Sequence, residues 1–138
     1  MAADLDYRDV LPPARTDREG RVVSMAQALD AIADGSRVYL SPICSVPAEI
    51  VAAMADQRDR WSDIELVTDY LIEPLPLFDE PGRPFRLTSL QPTRASAAMA
   101  AAGVMDTIPA SYSQFAGILA PTGTTPIDVA IVQVSEAG

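Results

Sequence analysis

The sequence predicts an α/β protein with a mostly parallel sheet covered by helices on both faces. Three observations lead there. Segments rich in strand formers alternate along the chain with segments whose apolar residues recur at helical spacing, an order that puts parallel strands beneath crossover helices. The 138 residues suffice for one domain of four or five βα units. Hydrophobic residues make up 49% and charged residues 21%, the balance of a chain that folds.

Residues 1–23 carry Pro12-Pro13 and the charged stretch Arg15–Gly20 without an apolar period, and read as a loosely docked leader to a domain over 24–138. Ser24-Met25-Ala26-Gln27 has the form of a capping box: the Ser24 hydroxyl accepts the Gln27 amide proton and the Gln27 side chain returns to the Ser24 backbone. A helix over 25–34 follows, with Gly35 suited to a left-handed end. Arg37–Ser41 reads as a strand. Ala48–Arg58 reads as a helix, with Ile50, Val51, Met54 and Ala55 as its apolar stripe and a proline in its first turn.

Ile64–Tyr70 is rich in strand formers, and the Pro-rich stretch from Glu73 to Pro84 is excluded from any central strand. Phe85–Leu90 resumes as a strand, and alanine-rich Thr93–Ala102 reads as a short helix stopped by Gly103. Met105–Pro109 then reads as a strand, Ser111–Leu119 as a helix with Tyr112, Phe115, Ile118 and Leu119 on one side, and Ile127–Val134 as the last strand. The chain stops four residues later, at Ser135-Glu136-Ala137-Gly138. Ligands of open parallel sheets bind beyond the carboxyl ends of the strands, so the loop expected there is predicted to be missing.

Several function classes are excluded. A formal net charge of −9 repels polyphosphate, and no stretch gathers Lys or Arg with aromatics, which argues against nucleic acid. No run is apolar enough to span a bilayer and the first thirty residues lack a signal-peptide pattern, so no membrane association and a cytoplasmic location are expected. The single cysteine, Cys44, allows no internal disulfide. With no histidine, serine–histidine and cysteine–histidine catalysis is ruled out, and no metal site is expected. Neither a GxGxxG nor a P-loop spacing occurs, which disfavours an unrelated nucleotide-binding domain.

Five segments, in order, resemble the amino-terminal half of the acetyl-CoA hydrolase/transferase family, which includes acetate, butyrate and 4-hydroxybutyrate CoA-transferases. They are Ala28–Val38, the loop and helix from Ser41 to Arg58, Ile64-Glu65-Leu66, Met105–Ser113 and Ile127–Ser135, together spread over roughly 24–135. The resemblance implies a CoA-transferase-like fold, two such halves per complete subunit, and acyl transfer through a glutamyl-CoA thioester. It places that glutamate and the glycine-rich CoA-binding segment in the second half, so no catalytic residue is expected in this chain, and Glu136 does not match the catalytic position. It further implies coenzyme A as a substrate, with no tightly bound cofactor, and acyl-CoA and small carboxylates as partners.

In the family the turn after the first strand lines the acyl site and directs backbone N–H groups toward the thioester oxygen, a use suited to stabilising an oxyanion. Ser41, Ile43, Cys44 and Ser45 fall on that turn, and Pro109, Ser111 and Tyr112 match a second segment on the active-site side; these seven are the expected substrate-lining residues. The turn departs from the family pattern, which has glycine where this chain reads Pro42-Ile43-Cys44-Ser45, and proline has no N–H to donate. The departure implies a different acyl group or a turn short of a donor.

Each candidate has a plainer structural reading. Cys44 reads more simply as a small, partly buried loop residue than as a nucleophile, Ser45 as the N-cap of the following helix rather than a catalyst, and Ser111 also as a cap of its own helix. Trp61, Met54 and Phe115 read as core or interface. Two functional expectations result: one half of a CoA-transferase or acetyl-CoA hydrolase, completed by a second half or subunit, or a stand-alone non-catalytic binding or subunit module that kept the fold. A half-domain also exposes apolar surface, so a homo-oligomer is expected.

Overall fold

The computed structural model describes residues 20–78 and 84–135, so most of the leader and Glu136 lie outside the described residues. Four α-helices occur among them, α1 (Met25–Asp30), α2 (Ala48–Asp56), α3 (Ala97–Ala101) and α4 (Tyr112–Leu119). The strands are β1 (Arg37–Leu40), β2 (Ile64–Thr68), β3 (Phe85–Ser89), β4 (Met105–Thr107) and β5 (Val129–Ile131). They form one sheet in the order β4-β3-β2-β1-β5, and every neighbouring pair is parallel, so the expected mostly parallel sheet is wholly parallel. No helix among the described residues is long and apolar enough to cross a membrane.

The register follows from one face being buried. Val38 and Leu40 of β1, Ile64 and Leu66 of β2, and Phe85 and Leu87 of β3 join Leu29, Val51, Met54, Leu77 and Met99 in one core cluster. The residues between them, Arg37, Tyr39, Glu65, Val67 and Thr88, turn to the opposite face because side chains alternate along a strand. A one-residue slip of β2 would carry Glu65 into that core. α2 and α3 cover the first face through Val51, Met54 and Met99, while Tyr112 of α4 approaches Tyr39 on the second.

Trp61 anchors the base of the core: 7% exposed, it sends its indole N–H to the Ile32 carbonyl at 2.9 Å, and its ring meets Phe85 at 6.0 Å between centroids. That bond helps explain why α1 stops at Asp30 rather than Asp34. The Ile32 carbonyl faces the indole and the chain turns away, reaching its left-handed residue, Gly35 at φ 78°, four residues after Ala31 caps the helix. The capping box at the other end forms as expected, with the Ser24 N–H donating to Gln27 Oε1 at 3.0 Å and the Gln27 N–H donating to Ser24 Oγ at 3.3 Å.

Other elements are shorter than their sequence patterns. Ile127–Val134 yields only Val129–Ile131, because β5 can pair with β1 alone and β1 is four residues long. Thr93–Ser96 forms a turn before α3 in place of helix. The Thr93 hydroxyl donates to the Leu71 carbonyl at 2.8 Å and the Thr93 N–H donates to Ser96 Oγ at 2.9 Å, side-chain bonds that compete with helix. Gly103, at φ 72°, follows the α3 cap as expected.

Arg37 ties three strands together at the amino edge. Its Nε lies 2.9 Å from Glu65 Oε2, its guanidinium donates to the Pro126 carbonyl at 3.1 Å, and its own N–H donates to Asp128 Oδ2 at 2.8 Å. Thr88 on β3 donates to the other Glu65 oxygen at 2.7 Å. A half-buried carboxylate is thus satisfied on both oxygens by neighbours in the sheet.

Candidate functional site

At the carboxyl edge, β1 runs into a tightly bonded turn. The Ser41 N–H donates to the Ile131 carbonyl at 3.0 Å, while Ser41 Oγ accepts from the Gln133 N–H at 3.3 Å and donates to the Ser45 carbonyl. Ser45 donates to the Pro42 carbonyl through both its N–H, at 3.1 Å, and its hydroxyl, at 2.8 Å. Ser45 therefore closes a single turn of 3-10 helix over Ile43–Ser45 and does not cap α2, whose N-cap is Pro47. Buried Ser41 is the strut that fixes the turn to β5.

Ile43 is the one non-glycine residue with positive φ among the described residues, at 59°. A β-branched side chain there is a genuine conformational outlier, held by its surroundings. Its N–H donates to the Tyr70 carbonyl at 3.1 Å, which joins the turn to the end of β2. With the Ile43 and Ser45 amides engaged and Pro42 without one, the Cys44 N–H is the turn's amide that makes no hydrogen bond among the described residues. Cys44 itself is exposed rather than partly buried.

Between this turn and the segment leaving β2 lies a cleft of about 370 Å³. Ile43, Val46 and Val51 form one wall, Ile72, Pro74 and Leu75 the other, and Glu73 contributes a carboxylate. The volume falls in the range of pockets that hold small molecules. Ile43 at 43% and Ile72 at 55% exposure stand open to solvent here, so the cleft keeps an apolar surface that the core does not use.

Beside it, at the end of β2, is Asp69, only 3% exposed. It takes no part in the ion pairs of Arg37 with Glu65, Arg60 with Asp30 or Arg86 with Asp63. Its Oδ1 is buried without a hydrogen bond of standard geometry among the described residues. The Tyr112 phenol nevertheless lies close enough that interaction with the Asp69 carboxylate, followed by partial burial, raises its pKa above the usual 10.0. Tyr39 on β1 is raised as well, first by burial and then by the Asp69 charge. A buried carboxylate facing two phenols at a strand's carboxyl end, where ligands of parallel sheets bind, is a candidate functional position.

Of the seven expected residues, Ser41, Ile43, Cys44 and Ser45 share the turn, and Ile43 alone of the seven lines the cleft. Tyr112 reaches Asp69. Ser111 is the N-cap of α4, its N–H donating to Gln114 Oε1 at 2.9 Å, and exposed Pro109 precedes it; neither lines the cleft. Phe115 is half-buried and packs on Tyr112, their rings 5.0 Å apart. Asp69, Tyr39 and Ile72 were not singled out from sequence. An acidic residue closing an apolar strand was the signal for Asp69. Comparison with family models, with curated proteins and with solved structures finds no match.

Proposed function

We propose that this chain is the amino-terminal half of an acyl-CoA:carboxylate CoA-transferase or acetyl-CoA hydrolase of the cytoplasm, with a CoA-transferase-like fold, forming one wall of the acyl-CoA site. The observation that carries this reading is the turn after β1. It borders an apolar cleft at the carboxyl edge of a parallel sheet, and its Ile43 adopts the left-handed backbone that glycine favours. Glycine is the residue that the resembled family has in this turn.

In this reading a glutamate from a second half attacks the acyl-CoA carbonyl and expels the CoA thiolate, which returns to the glutamyl carbonyl and releases the first carboxylate. The acceptor carboxylate then repeats the two steps in reverse to leave as a new acyl-CoA, and in a hydrolase water cleaves the thioester to carboxylate and free CoA. The Cys44 N–H is the turn's candidate donor to the thioester oxygen, and the cleft takes the acyl chain. Exposed Val132 and Val134 beside β5, together with Met25, border a groove of about 720 Å³ and offer apolar surface for a second half or a second copy.

The test is titration of the purified chain with CoA and acetyl-CoA, alone and mixed with a glutamate-bearing second half from a related enzyme. Thioester turnover in the mixture alone is the expected result. Tight CoA binding by this chain in isolation would instead identify a stand-alone binding module, and no binding or turnover in either arm would sink both readings.

A further inference from the structure

We infer that the cleft between the β1 turn and the segment leaving β2 selects an uncharged aliphatic acyl chain longer than acetyl, with Ile43 and Ile72 as the specificity-determining side chains; this rests on the acyl-CoA:carboxylate CoA-transferase reading above and sets aside its acetyl-CoA hydrolase form. The cleft's volume, about 370 Å³, far exceeds what an acetyl group fills. Its lining is apolar except at Glu73, with Ile43, Val46, Val51, Ile72 and Leu75 supplying the larger aliphatic side chains. Among the described residues no lysine or arginine lines the cleft to neutralise a second carboxylate, and Glu73 is the one lining side chain able to bond an acyl hydroxyl, as acceptor. Glu73 adds a negative charge that repels a dicarboxylic acyl group. Burial of aliphatic carbon is what the walls reward, and each methylene taken from water strengthens binding about fourfold.

Two side chains make this surface without belonging to the core. Ile72 is 55% exposed and Ile43 is 43% exposed, so both can be altered with little effect on the packing beneath. Val51, 1% exposed, is part of the core and forms the cleft's floor.

The experiment titrates the whole 138-residue chain with N-acetylcysteamine thioesters of acetyl, butyryl, hexanoyl and succinyl groups, and with 1-butanol and 1-hexanol as plain aliphatic probes. Binding is read by calorimetry and by shifts of the isoleucine methyl resonances. Hexanoyl is expected to bind at least tenfold tighter than acetyl, with succinyl weaker than butyryl. Ile72→Ser should reduce the hexanoyl preference severalfold, and Glu73→Lys should remove the discrimination against succinyl while leaving the fold intact by circular dichroism. Equal affinity for acetyl and hexanoyl, or a length preference unchanged in Ile72→Ser, overturns the proposal. The alcohols separate it from the acyl-CoA reading. If they show the length trend while the two-half mixture turns over no CoA thioester, the cleft's selectivity stands and the CoA reading fails. If the mixture turns over CoA thioesters without length preference, the CoA reading stands and the selectivity fails.

Discussion

The phenol of Tyr112, in the first turn of α4, stands against the carboxylate of Asp69 at the end of β2. The helix on one face of the sheet is thereby linked to a strand that is central to it. Because the carboxylate raises the phenol's pKa, the folded chain keeps that proton to higher pH than the unfolded chain does. The sign follows directly: stability from this pair is fully present below pH 10 and is lost as pH rises through the raised folded value. Spectrophotometric titration of the tyrosines should show Asp69→Asn bringing the phenols of Tyr112 and Tyr39 down toward 10. An unchanged titration in Asp69→Asn would mean that the carboxylate does not govern them.

Ile43→Gly should stabilise the fold. Replacing a β-branched residue at φ 59° with one that adopts this conformation freely relieves strain of about 1–3 kcal/mol. Greater freedom of the unfolded chain and the loss of a half-exposed side chain offset part of it, so a net gain of about 1 kcal/mol is expected. Urea denaturation measures the difference, and Ile43→Val, which keeps the β-branch, should give no gain.

Acid should act at the amino edge through Asp34. Asp34 Oδ1 accepts the Ser62 N–H and its Oδ2 accepts the Ser62 hydroxyl, both at 2.8 Å, and these bonds hold its carboxyl below the usual 3.8. A depressed carboxylate pKa contributes stability that is present above 3.8 and disappears as pH falls through the lowered folded value. Ser62→Ala removes the hydroxyl bond, so NMR titration of the Asp34 carboxyl carbon should move upward in that variant while the backbone bond persists.

Trp61→Phe keeps an aromatic ring beside Phe85 but deletes the donor to the Ile32 carbonyl. A lost hydrogen bond, a carbonyl left without its partner and a smaller ring together predict a loss of about 2–3 kcal/mol. Thermal unfolding checks the value, and a loss below about 0.5 kcal/mol would show that water replaces the indole without cost.

The strands were legible because they are apolar runs between breakers. Val38 and Leu40, or Ile64 and Leu66, had to be covered, and only a parallel sheet with crossover helices does so in this order. Their lengths were harder to read. Val132 and Val134 continue the strand-like composition of β5, but whether they pair depends on β1, whose residues lie far away in sequence. The same nonlocality hid Asp69: that it is buried, and that Tyr112 and Tyr39 surround it, follows from three segments meeting at one edge. The turn after β1 was singled out because its composition is unusual, yet the left-handed backbone at Ile43 could not be expected from a residue that disfavours it.

β1 lies inside the sheet, yet one of its two neighbours is supplied by residues far downstream; the Arg37–Asp128 bond beside that seam spans 91 positions. On a ribosome adding about 5–20 residues per second, β1 emerges and then waits several seconds with one edge open. Val38-Tyr39-Leu40 would in that interval be a ready template for another nascent chain. The charge of Arg37 before it and the ring of Pro42 just after it are the kind of flanking residues that discourage such pairing. The side chain that in the folded sheet bonds Glu65 and Pro126 thus stands, on an unfinished chain, at the flanking position where a gatekeeper charge acts.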